Sequence, residues 1–504
     1  MTKRPWPGTL LELLEPIAGE RTALVLPEDG TRVSYASLRS QVNDVADAFA
    51  GLGIARAGRV AMALPNGLPA IVCFLGAAVA GTAAPLNPGY REDEFRFYLE
   101  DTEARLLVLP VDGGEDARRA AGHSVAIVDV SVVDGRVRLS ANGARGTAGV
   151  PSPDDVALVL HTSGSTGRPK RVPLKQSNLV TSIGNIIETY DLTPDDVSLC
   201  VMPLFHVHGL MASLMATLAS GGTVVVPPRF NALGFWRVVR DHGVTWYSAV
   251  PTMHQLLLAR VGKGDGVEIG KLRFIRSCSA SLAAQTMEAM ESAFGVPVLE
   301  AYGMTEASHQ MSSNPLPPGH RKPGSVGAAT GVRVAIMDKD GDLLGISEHG
   351  EVVIQGGNVI AGYENNPEAN ATSFTNGWFR TGDQGFLDAN GYLTLVGRIK
   401  ELINRGGEKI SPREVDDVLL AHPAIAEAVA FGVPHRMWGE EVAAAVVLRE
   451  ENSATESDLL AWCRERLAEF KSPKKIHIVP AIPRTATGKL QRRIVAAAYG
   501  GEQP

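Results

Sequence analysis

Short apolar runs recur at 60–63, 106–109, 156–161, 199–202, 223–226 and 246–250, and several give way to amphipathic stretches. Runs of this length suit buried strands, and the patterned stretches between them suit covering helices. Most of the chain therefore reads as α/β, with sheets covered by helices. From 350 to 391 the character changes to short β-rich pieces broken by Gly and Asn, such as GEVVIQGGNVIAGY and GWFRTGDQG. These predict a smaller β subdomain. The stretch 64–90 carries no charge and could be mistaken for a membrane span. Its prolines (Pro65, Pro69, Pro85 and Pro88) and its Gly/Ala/Thr content instead predict a buried helix followed by a strand, so no integral membrane span is expected.

A new unit begins after Gly397. Ser411, Pro412, Arg413 and Glu414 form an S-x-x-E capping box with proline at the first helical position, so a helix starts near Pro412. Strands at 428–433 and 442–448, a helix over 457–468, a strand at 475–479 and a final helix from Lys489 complete a small α+β unit. About a hundred residues suffice for such a unit to fold alone. The expected organisation is a large N-terminal domain over 1–396, a connection at 397–400 and a C-terminal domain over 401–504.

Composition narrows the class. A chain of 504 residues exceeds one hydrophobic core, and 45% hydrophobic with 20% charged residues excludes a disordered or fibrous chain. A net charge of -7 gives no electrostatic reason to expect nucleic acid. Cys73, Cys200, Cys278 and Cys463 show no CxxC spacing, which predicts free thiols in a reducing compartment. Pro5, Pro7, Glu12 and Glu15 interrupt the N-terminus where an export signal needs an apolar stretch, so a cytoplasmic location is expected. Self-association as a homo-oligomer stays open.

The strongest local signal is Thr162-Ser163-Gly164-Ser165-Thr166-Gly167-Arg168-Pro169-Lys170, directly after the strand predicted to end at His161. Glycines, hydroxyls and a closing lysine can wrap a polyphosphate with backbone N–H groups, O–H donors and one ammonium. The spacing is not that of the kinase and ATPase P-loop.

This nonapeptide resembles the signature of the acyl-adenylate-forming (AMP-binding) superfamily. Further segments match in order: Tyr302-Gly303-Met304-Thr305-Glu306, Trp378-Phe379-Arg380-Thr381-Gly382-Asp383, Gly397-Arg398-Ile399-Lys400 and Pro483-Arg484-Thr485-Ala486-Thr487-Gly488-Lys489. The resemblance spans nearly the whole chain and implies an ATP-dependent acid:thiol ligase, with a small mobile C-terminal domain and with ATP and coenzyme A as co-substrates. It implies that Glu306 binds a Mg²⁺ bridging ATP phosphates and that Thr305 bonds the α-phosphate. Asp383 would hold the ribose hydroxyls and Arg398 the ribose or phosphate side. Ser279, Ala280, Tyr302 and Gly303 would border the nucleotide. Lys489 is the expected catalytic lysine of adenylation, because carboxylate attack on the α-phosphate crowds negative charge that a positioned ammonium can neutralise. Lys400 falls at the family's hinge, and Gly406 and Gly407 fall in the loop expected to form the coenzyme A channel after the domain turns.

Two departures concern the backbone. Arg171 stands where glycine is usual, and Ser277-Cys278-Ser279-Ala280-Ser281-Leu282 replaces a commoner strand end. The second departure resembles the oxalate–CoA ligases, as do PLFHVHG at 203–209 and TEASH at 305–309. These segments bring His206, His208, Ser277 and His309 towards the expected acyl pocket. A second carboxylate costs several kcal/mol to bury unpaired, and histidine and hydroxyl donors would pair it. A short dicarboxylate, oxalate first, is therefore the expected acid. The rival readings are a fatty or aromatic acyl-CoA ligase, a stand-alone adenylation protein loading a carrier thiol, and a non-catalytic nucleotide-binding relative. Intact Lys170, Glu306, Asp383 and Lys489 argue against the last.

Overall fold

The computed structural model describes residues 6–140, 146–162, 169–261, 268–449, 453–484 and 490–500. Among the described residues, a seven-stranded sheet runs in the order Arg136–Leu139, Ala126–Val133, Leu106–Pro110, Arg59–Met62, Thr82–Pro85, Val156–Thr162, Lys170–Lys175. Its central pairings are parallel and its two edges antiparallel. A nine-stranded sheet includes, side by side and parallel, Val197–Leu199, Trp246–Ala249, Phe274–Ser277 and Val298–Met304. The antiparallel strand His309–Ser313 pairs with Val298–Met304. One large apolar cluster joins both sheets, because the helices between them bury nearly everything they carry.

The uncharged stretch behaves as its composition predicts. Leu68–Ala80 is a helix in which every residue but Pro69 is buried, and it is followed by the strand Thr82–Pro85. Thirteen residues span roughly 20 Å, short of a bilayer's hydrocarbon core. Among the described residues no helix is long and apolar enough to cross a membrane.

Residues 333–398 form a separate five-stranded antiparallel sheet, wider than the segment expected from Gly and Asn content alone. Residues 403–478 build another five-stranded sheet, with apolar clusters of their own on its two faces.

Three local expectations need correction. The strand expected at 199–202 is Val197–Leu199. It stops early because Asn66 captures the Met202 carbonyl at 3.0 Å and the Leu204 N–H at 2.9 Å. The capping box at Ser411 is half formed: Ser411 Oγ accepts from Glu414 N at 3.4 Å, but the Glu414 carboxylate turns to Lys471 at 2.8 Å. The final helix begins at Arg492, whose guanidinium grips Asp416 at 2.8 Å and the Ala430 carbonyl.

The helix Pro412–Leu420 sends Arg413 across to the nine-stranded sheet. Arg413 donates to the Leu395 carbonyl at 3.0 Å and lies 3.8 Å from Glu300, a carboxylate only 1% exposed. Glu300 Oε1 accepts from Leu282 N at 3.0 Å. Burial pushes the Glu300 carboxyl up to about 7, and Arg413 only partly opposes this. A carboxyl raised above its unfolded value binds more protons in the folded state. Its stabilising contribution is therefore complete below about pH 4.5 and lost as pH rises through 7, an effect on the order of 3 kcal/mol. Glu300→Gln should keep the Leu282 bond and abolish this dependence. The difference in unfolding free energy between variant and parent, measured by denaturant titration from pH 5 to 8, is expected to grow in the variant's favour as pH rises. A difference that stays constant would refute it.

Candidate active site

Three strands that run parallel within their sheets end at the site, which suits an α/β fold, where ligands sit beyond the carboxyl ends of strands. Val156–Thr162 delivers Thr162, Phe274–Ser277 delivers the turn with Ser279 and Ala280, and Val298–Met304 delivers Thr305 and Glu306. Ser163, Gly164, Ser165, Thr166 and Gly167 lie outside the described residues, as does Lys489.

Around the residues expected to meet phosphate, Glu306 is 6% exposed, and its Oε1 accepts from Tyr363 Oη at 2.9 Å and Thr162 Oγ1 at 3.3 Å. Lys170 Nζ stands 4.4 Å from the centroid of the Tyr363 ring. Burial holds the Lys170 ammonium below its usual range; Glu306 opposes this and Lys400 adds to it, which brings the expected hinge residue electrostatically next to the expected phosphate lysine. Tyr363 was not singled out from sequence, where it is one aromatic in a Gly/Asn-rich run. Arg171 does not disturb this corner. It continues the strand Lys170–Lys175 and turns its guanidinium to the Asp101 carbonyl and, at 3.3 Å, to Glu364, which also holds Arg59 at 2.7 Å.

Next to this, Asp383 and Arg398 face each other across paired strands, with Arg398 Nε 2.7 Å from Asp383 Oδ1. The Tyr302 hydroxyl donates to Asp383 Oδ2. Burial first, then the charge of Asp383, pushes the Tyr302 phenol far above its usual range. Gly303 allows the close pairing of this strand with the next, since a Cβ there would lie 2.0 Å from the His309 carbonyl oxygen.

The third group is aromatic and polar. His208 and His309 are 3% and 2% exposed, and their rings stack with centroids 4.9 Å apart. His208 opens the π-helical segment His208–Met215, an uncommon geometry that often marks functional sites. His208 Nδ1 lies 2.9 Å from Ser279 Oγ. Ser279 has φ +72°, Ser308 +51° and His309 +105°, three non-glycine residues in a costly backbone region. Ser277 is not brought to His208. Its register partners are Ala249 and Glu300, whereas Arg276 pairs with Ser248 and Leu299, so Ser277 and Arg276 face opposite sides of the sheet. His206 lines a narrow cleft with Tyr90, Tyr98, Leu160, His161 and Thr305. Gly406 and Gly407, at φ +60° and +97°, make the tight turn between Ile403–Arg405 and Glu408–Ile410, and Gly406 N donates to the Trp438 carbonyl at 2.7 Å.

The profile of the AMP-binding enzyme family matches residues 17–364, and that of the AMP-binding enzyme C-terminal domain matches residues 414–489. The chain belongs to the AMP-binding enzyme family. It is 50% identical to the oxalate–CoA ligase of Arabidopsis thaliana, over 88% of this chain and 89% of that enzyme. With the oxalate–CoA ligase of Saccharomyces cerevisiae it shares 44% identity over 95% of each chain. Among solved structures, ATP-bound MatB from Rhodopseudomonas palustris superposes with a TM-score of 0.91 at 30% identity, covering 98% of this chain and 99% of MatB. This AMP-binding enzyme is an AMP-forming acyl-CoA synthetase that uses ATP and coenzyme A. Residues spread over some 240 positions, from Thr162 to Arg398, thus meet on one side of the strand ends (~240 as their sequence separation).

Proposed function

We propose that this acyl-CoA synthetase activates oxalate. The acid's carboxylate attacks the α-phosphorus of ATP, pyrophosphate leaves, and the thiol of coenzyme A then displaces AMP from the mixed anhydride. Lys170 and the loop around 163–167 hold the polyphosphate, Thr305 meets the α-phosphate, and Tyr302, Asp383 and Arg398 hold the ribose side. Lys489 neutralises charge as acid meets phosphorus. The C-terminal domain turns about 397–400 between the two half-reactions and brings Gly406 and Gly407 to the pantetheine channel.

The donor set fits Mg²⁺. Among the described residues no three His, Cys, Asp or Glu side chains converge to hold a metal by themselves. Glu306 beside Lys170 offers the single carboxylate needed by a hard cation that draws its other oxygens from phosphate and water. When bound, Mg²⁺ would neutralise the phosphate oxygens from Glu306. All four cysteines are free and buried, which supports a place in the reducing cytoplasm.

The oxalate reading is carried by the stacked pair His208 and His309 beside Ser279, a cluster of polar donors where a fatty acyl chain would need apolar walls. Pyrophosphate release across acetate, oxalate, malonate, benzoate and octanoate, with and without coenzyme A, tests it. Oxalate is expected to lead by at least about tenfold in kcat/KM, and His309→Ala to raise KM for oxalate about tenfold with KM for ATP within about twofold. A preference for octanoate or benzoate would defeat the reading.

A further inference from the structure

Arg276 is wholly buried on the central strand Phe274–Ser277. Its Nε donates to Tyr190 Oη at 2.8 Å, Nη1 to Ser248 Oγ at 2.8 Å, and Nη2 to Gln310 Oε1 at 3.0 Å. Every one of these partners is a neutral side chain, and no carboxylate among the described residues pairs with it. A buried guanidinium without a counter-anion costs several kcal/mol even when its N–H groups are satisfied. Such an arrangement makes chemical sense where a negative charge arrives with a ligand.

The hydrogen bonds show how that charge is felt. Ser248 Oγ lies 2.6 Å from His208 Nε2, and Arg276 Nη1 approaches the same nitrogen at 3.5 Å. Arg276 can only donate. Ser248 Oγ accepts from Arg276, and because Arg276 Nη1 also approaches His208 Nε2, the arrangement in which no two donors face each other has Ser248 giving its single proton to that nitrogen. The one proton of the His208 ring then sits on Nδ1 and is donated to Ser279 Oγ, 2.9 Å away. Ser279, held at φ +72° at the edge of the site, is left with its own O–H to donate. In that arrangement the series Arg276, Ser248, His208, Ser279 runs in one direction, every proton pointing towards Ser279. Arg276 also fixes Gln310, the neighbour of His309, so one guanidinium registers both imidazole-bearing elements.

We propose that Arg276, acting through Ser248, is a positioning residue for substrate selection. It locks His208 as the Nδ1–H tautomer and supplies the buried positive charge that balances the second anionic group of the acid, its distal carboxylate. The proposal rests on the dicarboxylate reading above. It explains why the pocket would reject a monocarboxylic acid of similar size. Without the second anion the donor series ends on nothing and Arg276 stays uncompensated.

The test uses the full-length enzyme with ¹⁵N-labelled histidine and the variants Ser248→Ala, Arg276→Lys and Arg276→Met. In the parent, the His208 signals, assigned by their loss in His208→Gln, are expected to show a protonated Nδ1 and an unprotonated Nε2. Ser248→Ala should mix the two tautomers and raise KM for oxalate at least about tenfold, with KM for ATP and kcat at saturating oxalate within about threefold. Arg276→Lys should recover part of the oxalate KM lost in Arg276→Met. Should Arg276→Met not fold, Ser248→Ala and Arg276→Lys still decide. A parent enzyme with the proton on His208 Nε2, or a Ser248→Ala enzyme with unchanged KM for oxalate, overturns the proposal while leaving oxalate as the substrate. A panel led by a monocarboxylic acid overturns the substrate reading instead, and with it the role of Arg276 as counter-charge, even where the tautomer is as described.

Discussion

Replacing Lys489 by alanine is expected to slow formation of the acyl-adenylate by about a hundred- to a thousandfold. In that step a carboxylate approaches a phosphate that already carries charge, and negative charge moves onto the oxygens around phosphorus. Lys170, Glu306 and Tyr363 form the cluster proposed to meet the phosphates, and burial together with Lys400 already weakens the hold of Lys170 on its proton. A second ammonium at the reacting oxygens would therefore do what Lys170 alone cannot. Because Lys489 is asked to serve only the first step, transfer to coenzyme A from supplied acyl-AMP should stay within about threefold of the parent. Single-turnover release of pyrophosphate, alongside thioester formation from synthetic acyl-AMP, separates the two. An undiminished adenylation rate would remove Lys489 from the chemistry, and equal losses in both steps would point to misfolding instead.

The second large effect is expected at Lys400. It lies in the short 3₁₀ turn Ile399–Glu401, between Arg398 on the nucleotide-side sheet and the strand Ile403–Arg405 of the C-terminal sheet. Proline there fixes one backbone angle and confines Ile399 to extended conformations, stiffening the connection about which the domain is proposed to turn. Lys400→Pro should slow thioester formation by roughly ten- to a hundredfold and leave adenylation within about threefold, if each half-reaction needs its own domain orientation. The same two assays decide it. Equal loss in both would count against a hinge at this position.

Much of the architecture can be read from local pattern. The runs at 60–63, 106–109, 156–161, 223–226 and 246–250 all overlie strands, since buried parallel strands are short, continuous and apolar. The uncharged helix Leu68–Ala80 was legible because a composition of that kind suits only a fully covered helix or a membrane. The nucleotide-side cluster was legible for a different reason: Tyr302, Glu306, Asp383 and Arg398 lie in compact motifs. Ser248, Tyr190, Gln310 and the role of Arg276 were not. Each comes from a different element, and nothing local to a serine in a strand or a tyrosine at a helix end reveals what packs against it 28 to 120 residues away. Ser277 is expected at the acyl pocket and Ser279 at the nucleotide because sequence gives the neighbourhood of a site more easily than the side of the sheet. That it is Ser279 and not Ser277 that meets His208 depends on register, which the parallel partners of Phe274–Ser277 establish. At Ser411 the capping motif was real, but a distant lysine competed for its glutamate.

The absent side chain at Gly303 has a wider effect. With the His309 carbonyl filling the place where a methyl would go, the strand bearing Tyr302 and the strand bearing His309 are closed against each other like the teeth of a zip. On the proposed roles, the residues for the ribose side and for the acid are thereby held to a common ruler. If those roles hold, a change in preferred acid comes from exchanging side chains along these strands, because a shift of the seam itself would move Tyr302 by the same amount.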